Sequence, residues 1–434
     1  MDDMHHFVIV GGGAGGLELA TKLGNKLGKK NKARITLVDA ALTHVWKPLL
    51  HEVAAGSLNS DAAQVDFRVH AQQHYFEFQP GRLTGLDRSQ KTITLAPINN
   101  RKGEEVVAAR RVPYDTLVIA VGSTTNDFGT KGAEEHCQFL DSQLQARRFH
   151  QSLLNRYLQA EHAPEGERDI HVAIIGGGAT GVELAAELRY ASQQLESYGL
   201  HNVKESNIHI SLIEAGGRIL PALKERLSAA ATRELNKLNI EVLTSQPVTE
   251  ITDTQLTFAE SEPLNAEIKV WAAGIKAPGF LTELDGLETN RLNQLKVDTT
   301  LATTLDDCVF AFGDCAECWN EGNERSVPPR AQAAHQQAST LYKTLVARLD
   351  GGAAHQFVYK DHGSLVSLSD YTAVGSLMGN LSKGSMMVEG KLARLFYVSL
   401  YRMHQLALHG FFKTGLIWLN DRLMRVIHSR MKLH

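Results

Sequence analysis

Two glycine-rich fingerprints constrain what this chain can fold into. One reads Gly11-Gly-Gly-Ala-Gly-Gly16 and follows the apolar run Phe7-Val8-Ile9-Val10. The other reads Gly176-Gly-Gly-Ala-Thr-Gly181 and follows Val172-Ala173-Ile174-Ile175. Each is G-x-G-x-x-G between a short β-branched strand and an amphipathic helix, running from Leu17 or Val182 onward. In that setting Gly11 and Gly176 permit a tight turn. Gly13 and Gly178 let backbone approach a pyrophosphate, and Gly16 and Gly181 let helix and strand pack closely, with the helix N-terminus facing the phosphates. A single copy is a weak signal. Two in one chain predict two bound dinucleotides, and hence electron transfer between them.

Each fingerprint is followed by an acid at the end of the next predicted strand. Arg34–Val38 runs into Asp39, and Ile208–Ile213 runs into Glu214. A carboxylate there accepts hydrogen bonds from ribose hydroxyls and disfavours a 2′-phosphate. The alternative is a pair of solvated strand-end acids, which leaves the duplicated placement unexplained. Asp39 follows Gly16 at close to the usual spacing of about 20 residues, whereas Glu214 follows Gly181 by about ten more. The excess predicts a longer helix or a loop near Ser197–Ser206. Arg218 nearby leaves a phosphorylated nicotinamide cofactor open.

The chain, 434 residues long, has the length for two or three packed domains. Its net charge of −3 gives no reason to expect nucleic acid. Four cysteines, Cys137, Cys308, Cys315 and Cys318, make no disulfide framework and predict a reducing compartment. The first strand begins at Phe7, so no signal or transit peptide is expected. No uncharged apolar run approaches the roughly 18 residues of a spanning helix.

Residues 1–122 read as the first part of one nucleotide-binding domain, closing with the apolar strand Tyr114–Gly122. A second such domain is expected over 145–275, closing with Ile268–Gly274. The segment Cys308–Asp314 supplies another strand ending in Gly-Asp, which returns the chain to the first domain over 290–345. Residues 346–434 are expected to form a C-terminal membrane-association domain.

This ordered set resembles the two-dinucleotide-binding flavoproteins, which include the pyridine nucleotide–disulfide reductases. The resemblance implies that the first loop holds FAD, without a covalent bond, and that the second holds NADH. Disulfide reductases carry a redox cysteine pair shortly after the first acidic strand end. Here that stretch, Trp46-Lys-Pro-Leu-Leu-His-Glu-Val-Ala54, has no cysteine, which argues against thiol–disulfide exchange. The lack of cysteine there and near 150–170 also argues against a sulfide–quinone oxidoreductase. Finer features are similar to type II NADH:quinone oxidoreductases over essentially the whole chain. They are Trp46–Gly56, Gly176–Glu183, Trp271-Ala-Ala-Gly-Ile275, Gly313-Asp-Cys-Ala316, Pro328–Gln336, Lys360–Val366 and the basic, aromatic C-terminus.

The resemblance implies an FAD site at Gly11, Gly13, Ala14, Gly16, Asp39, Lys47, Gly122, Asp314 and Ala331. It implies an NADH site at Gly176, Gly178, Gly181, Glu214 and Gly274. Hydride transfer needs the two rings stacked with reacting atoms about 3–3.5 Å apart. The cofactors supply the chemistry, so no nucleophile or triad is sought. Glu183, expected on the first helical turn after the second loop, is placed by the resemblance beside the nicotinamide and flavin, to orient the carboxamide or relay protons. The plainer reading is an acid complementing the helix dipole. Ala331–Gln336 is expected to open a helix under the flavin, with Gln332, His335 and Gln336 at the quinone pocket. Amide and imidazole suit a quinone oxygen that needs hydrogen-bond donors and protons; the plainer reading is an ordinary helix N-terminus. The resemblance implies that the segment with Lys360 and His362 borders the same pocket, although the Lys-Gly often found in the family stands here as His362-Gly363. Cys315-Ala-Glu-Cys318 lacks the second cysteine pair of a zinc site, so no metal is expected.

From Lys391 to His434 the chain has eight basic residues and one acid, Asp421. Leu392, Leu395, Phe396, Met403, Leu406 and Ala407 share one helical face, with Lys391, Arg394, Arg402 and Gln405 opposite. After Gly410, Leu416, Leu419, Leu423 and Ile427 fall together beside Trp418. This pattern describes a helix lying in a membrane interface, attracted by anionic lipid; a docking or dimer helix is the alternative. The fold class expected is therefore α/β: two Rossmann-like dinucleotide-binding domains plus a C-terminal amphipathic helical segment that anchors to membrane. The leading functional expectation is a peripheral enzyme on the cytoplasmic face of a bacterial inner membrane. It would pass electrons from NADH through FAD to quinone without pumping protons, with a homodimer open. A soluble NAD(P)H-dependent flavin reductase or oxidase, or an NADH-sensing binding protein, are the competing readings.

Overall fold

The structure, a computed structural model, describes residues 4–58, 64–319, 326–368, 372–377, 386–389 and 391–427. The elements that position the site are, in chain order, β1 (His6–Val10), α1 (Ala14–Lys26), β2 (Arg34–Asp39), α2 (Leu50–Ala55), β3 (Glu77–Pro80) and β4 (Thr116–Ile119). There follow α3 (Gln143–His162), β5 (Ile170–Ile175), α4 (Ala179–Ser192), β6 (Ile208–Ile213), β7 (Ile240–Leu243) and β8 (Ile268–Trp271). The last are β9 (Leu295–Val297), β10 (Ala302–Thr303), β11 (Asp306–Ala311), β12 (Ala316–Cys318), α5 (Ala331–Leu349), β13 (Gly363–Leu368), β14 (Thr372–Leu377), β15 (Met386–Glu389) and α6 (Lys391–Ile427). They form two units, each assembled from separated stretches of chain.

The first unit comprises Met1–Trp46, Gln64–Thr124 and Ile275–Lys360. Its sheet runs β12-β9-β10-β11-β4-β1-β2-β3, and β3, β2, β1, β4 and β11 are parallel neighbours. Strands buried on both faces read as continuous β-branched runs, as Phe7–Val10 and Thr116–Ile119 do. The strand order reverses direction at β1, so a crevice opens beyond the carboxyl ends of β1 and β4, where such sheets bind ligands. Pairing of β11 with β4 brings residues 306–311 back to the middle of this sheet. Helix α1 packs against both β2 and α5.

The second unit comprises Lys47–Ala63, Thr125–Gly274 and Asp361–His434. Its parallel sheet runs β7-β6-β5-β8, repeating the local order seen around β1. Helix α2 packs on α3 and α4, and α4 also meets β13. The long spacing before Glu214 is a loop between short 3-10 turns at Leu195–Tyr198 and Glu205–Asn207. The Glu161 carboxylate ties that loop down, accepting from the backbone N–H of His201, Asn202 and Val203 at 3.2, 2.9 and 3.2 Å.

The C-terminal helix α6 lies against the antiparallel sheet β13-β14-β15 and is broken at Gly410 (φ 72°, ψ 176°). Helical spacing puts Gln405 on the solvated face; instead His404, Gln405 and Leu408 are buried while Met403 and Leu406 are exposed. Packing against the sheet has selected the polar-edged face here and turned Met403 and Leu406 outward. Past the break Phe411, Phe412, Leu416, Trp418, Leu419 and Leu423 are all exposed, and the Arg422 guanidinium lies over the Trp418 ring. Arg430 and Lys432 lie outside the described residues, as do the side chains of Lys391, Leu392, Arg394, Leu395, Phe396, Asp421, Arg425 and Ile427. Among the described residues no helix is long and apolar enough to cross a membrane.

Candidate functional site

The two glycine loops have the same construction. A Cβ on Gly11 would collide with the Ala120 carbonyl, and one on Gly16 with the Gly11 carbonyl. In the second unit a Cβ on Gly176 would sit 2.6 Å from the Ala273 nitrogen, and one on Gly181 would collide with the Gly176 carbonyl. These glycines are demanded by the protein's own backbone. Gly13 and Gly178 are different: nothing lies within 4 Å of where their Cβ would stand. Each is the N-cap of the following helix, neither α1 nor α4 has a side-chain cap, and neither carries an acid in its first turn. A helix that leaves its first N–H groups uncapped beside an open glycine offers them to an anion. The observed space and donor set therefore fit one dinucleotide pyrophosphate in each unit.

Both strand-end acids also brace these loops. Asp39 accepts from Gly12 N–H at 2.6 Å and from Ala41 N–H at 2.7 Å. Glu214 accepts from Gly177 N–H at 2.8 Å and from Gly216 N–H at 2.7 Å. A carboxylate has about four lone-pair sites, so both acids keep acceptor capacity for a ribose hydroxyl beside these bonds. Burial raises the Asp39 carboxyl above its ordinary range, against the lowering effect of those N–H bonds. Arg218 spends its guanidinium on the carbonyls of Leu223 and Pro221, both at 2.9 Å.

In the first unit, Gly122 (φ 73°) again has open space on its Cβ side. Ser123 Oγ donates to Asp314 Oδ2 at 2.9 Å, and Gln294 Nε2 donates to the Asp314 carbonyl at 3.0 Å. Gly313 N–H donates to Oε1 of the buried Gln337 at 2.9 Å. A narrow hollow runs from Gly313 and Asp314 to Pro328, Arg330 and Ala333. Helix α5 begins at Ala331, which puts Ala331 and the partly buried Gln332 on its first turn. His335, one turn further, contacts Oε2 of Glu18 through Nδ1 and stacks on Trp46 with ring centroids 5.6 Å apart. Gln336 is held at both ends of its amide, donating to the Lys360 carbonyl at 2.8 Å and accepting from Lys360 N–H at 2.9 Å. The Cys315 thiol donates to the carbonyls of Phe312 and Ile119 at 3.2 and 3.5 Å. Burial pushes it up to about 11 and Cys318 up to about 12, so both are thiols at neutral pH.

In the second unit, Lys47 Nζ lies 3.9 Å from Asp141 Oδ1, and Gly274 (φ 63°) packs under the Phe128 ring, where a Cβ would collide. Glu183 is not on the first turn. Helix α4 starts at Ala179, which makes Glu183 its fifth residue, too far in to answer the first-turn dipole. It is buried, accepts from Ser367 N–H at 3.0 Å, and has His51 Nδ1 at 3.7 Å. Burial pushes its carboxyl up to about 8, helped by the charges of Glu52 and Glu187 and opposed by the Ser367 bond. Burial pushes His51 down to about 4, although its bond to the Pro48 carbonyl works the other way. Proximity suggests an ion pair, but burial of both groups decides for a neutral acid beside a neutral imidazole at pH 7.

Three residues were missed by sequence reasoning. His51 lies inside the Trp46–Gly56 motif but carries no spacing signal. Gln337 looks like any polar helix residue. Glu18 had a usable signal: it stands two residues past Gly16, as Glu183 stands two past Gly181.

The chain matches the family described as pyridine nucleotide-disulphide oxidoreductase over residues 5–338. It is 47% identical to a type II NADH:quinone oxidoreductase of Haemophilus influenzae, over 99% of this chain and 100% of that protein. It is 27% identical to the Staphylococcus aureus protein of the same name, over 87% of this chain and 90% of that one. The solved structure of NDH2 from Plasmodium falciparum in complex with NADH superposes with a TM-score of 0.83 at 20% identity, covering 99% of each chain. This chain is an NADH-oxidising flavoenzyme that binds FAD and NADH, and it belongs to the type II NADH:quinone oxidoreductases.

Proposed function

We propose that this enzyme works as a peripheral membrane protein, at the cytoplasmic face of a bacterial inner membrane, and delivers the electrons of NADH to a membrane quinone without moving ions. The observation that carries the two-cofactor part is the duplicated uncapped helix N-terminus behind Gly13 and Gly178. FAD, held without a covalent bond, would supply the two-electron chemistry linking NADH oxidation to the acceptor; this chain supplies position and protons. Gly11, Gly13, Ala14, Gly16 and Asp39 hold the flavin nucleotide, with Lys47, Gly122, Asp314 and Ala331 about the rest of it. Gly176, Gly178, Gly181, Glu214 and Gly274 hold NADH, and the Glu214 carboxylate selects against a 2′-phosphate. Glu183, kept protonated by burial, orients or relays a proton at the nicotinamide. Gln332, His335 and Gln336 serve the quinone, with Gln336 acting by fixing residue 360 against α5.

The membrane part is supported by the outward apolar face after Gly410 together with Lys413 and Arg422. Insertion of apolar side chains and roughly 1 kcal/mol per nearby basic residue favour an anionic bilayer. The deciding experiment follows NADH oxidation by FAD-loaded protein with a short-chain ubiquinone, anaerobically, with and without anionic liposomes. The expected result is quinone turnover that rises with lipid. Flavin reduction with no quinone turnover refutes the acceptor. A pH-sensitive dye inside the vesicles checks the other half, since internal acidification or alkalinisation coupled to turnover refutes electron transfer without ion movement.

A further inference from the structure

We propose that Glu18 is a positioning residue for quinone reduction, whose carboxylate orients His335 to deliver a proton to the quinone's carbonyl oxygen. The proposal rests on the quinone reading above and assigns the proton that reading leaves unassigned.

The two fingerprints place a glutamate in the same slot, two residues past the final glycine, and both are buried. Their surroundings differ. Glu183 meets Ser367 N–H and a neutral His51 and lies near two other carboxyls. Glu18 is ringed by donors: Lys22 Nζ at 2.5 Å and Ser339 Oγ at 3.4 Å on Oε1, and His335 Nδ1 on Oε2. Burial alone raises Glu18, but the His335 and Lys22 contacts together outweigh it and hold the carboxyl below the usual range. One slot thus holds a protonated acid and the other a carboxylate.

A carboxylate on Nδ1 fixes the histidine's tautomer, because Nδ1 keeps its hydrogen in both charge states. The proton that comes and goes is then on Nε2. Trp46 stacked on the ring fixes its plane. Among the described contacts, His335 meets the Glu18 carboxylate and the neutral Trp46 ring, and Lys22, also on α1, reaches Glu18 and Ser339. The cluster adjoins the flavin loop, since a Cβ on Gly15 would lie 3.0 Å from the carbonyl of Ala334, the residue before His335. His335 keeps about a quarter of its side chain exposed, so it can be reprotonated from water.

The step balances. NADH supplies two electrons and one hydrogen to the quinone. The second O–H bond forms as the Nε2–H bond of the imidazolium breaks, leaving a neutral imidazole that takes a proton from solvent. Glu18 stays a carboxylate throughout, so the overall reaction consumes one quinone, one NADH and one proton.

The test compares a short-chain ubiquinone with ferricyanide, which accepts single electrons and needs no proton at oxygen. In FAD-loaded Glu18→Gln, quinone kcat is expected to fall about 10–100-fold further than the ferricyanide rate, less than the roughly 10²–10⁴-fold of a general acid removed outright, because His335 itself remains. The alkaline limb of its quinone pH profile is expected to shift, while the ferricyanide profile keeps its shape. His335→Gln is expected to lose that limb, and the double variant to be no slower than His335→Gln alone. Equal losses with both acceptors, or an unmoved alkaline limb, overturn the proposal. Should Glu18→Gln come without flavin, His335→Gln decides, and quinone turnover at the wild-type rate and pH profile overturns it. Wild-type enzyme that reduces ferricyanide but no quinone overturns the quinone reading and this proposal together. Wild-type quinone turnover matched by the variants overturns this proposal alone.

Discussion

Glu183→Gln isolates the electrostatic state of the buried acid in the NADH-binding unit. The substitution keeps size and hydrogen-bond acceptance, so Ser367 N–H retains its partner, but removes the ability to ionise. In the folded chain the carboxyl is pushed from 4.5 up to about 8, first by burial and then by Glu52 and Glu187. His51, pushed down to about 4, supplies no counter-charge. Below pH 4.5 folded and unfolded chains both hold the proton, and the site costs nothing. Between 4.5 and 8 the folded chain holds a proton the unfolded chain has released, so stability falls as pH rises, and above 8 the full penalty applies. At about 1.4 kcal/mol per decade of proton concentration, the full penalty is ~5 kcal/mol, and roughly 2–3 kcal/mol of it falls between pH 6 and pH 9. The variant escapes it. Its melting temperature relative to wild type, measured without cofactors at fixed ionic strength, should therefore rise by roughly 2–3 °C on going from pH 6 to pH 9 if the chain unfolds as one unit. A difference that stays constant across that range would show that Glu183 is not held as a buried neutral acid, and the reasoning would be refuted.

Other outcomes follow from the same geometry. Gly16→Ala drives a methyl into the Gly11 carbonyl and should abolish FAD retention through gel filtration; Gly13→Ala, facing open space, should fold with FAD affinity reduced about 10–100-fold, as read by flavin fluorescence titration. Glu214→Ala should raise KM for NADH and narrow the preference over NADPH, and unchanged selectivity would remove Glu214 from the ribose site. Deleting residues 411–434 spares the stretch that covers β13–β15 and should cut sedimentation with anionic liposomes by at least about tenfold while ferricyanide reduction persists. Equal sedimentation with and without that segment would take membrane binding away from it.

Much of the parallel-sheet core was legible because it rests on local signals. Continuous β-branched runs predict strands buried on both faces, and the glycine spacing predicts the turn that follows each. The break at Gly410 was legible too, since helical periodicity lapses there. What failed depended on partners distant in sequence. Spacing alone put Glu183 on a first turn, because it counts from the last glycine, whereas the helix begins two residues earlier at Ala179. Periodicity assigned Gln405 to solvent, because nothing local announces that β13–β15 will cover it. The pairing of Glu18 with His335 joins residues more than 300 positions apart, and no pattern in one sequence links them. Only the repetition of Glu18 and Glu183 in the same slot hinted that the first deserved the scrutiny given to the second.

The threading of the chain has a consequence for how the protein is made. The central strand β4 waits for β11, which arrives only at residues 306–311. The backbone N–H that meets Glu183 belongs to residue 367 of 434. A nascent chain released from the ribosome in order therefore carries a half-finished first sheet through the whole synthesis of the second. It also leaves the Glu183 carboxyl without that donor until most of the message has been read. Emergence of the last 70 or so residues becomes the event that lets the NADH-binding unit close, so a stalled ribosome short of residue 363 should yield a chain more readily digested by protease there than the finished one.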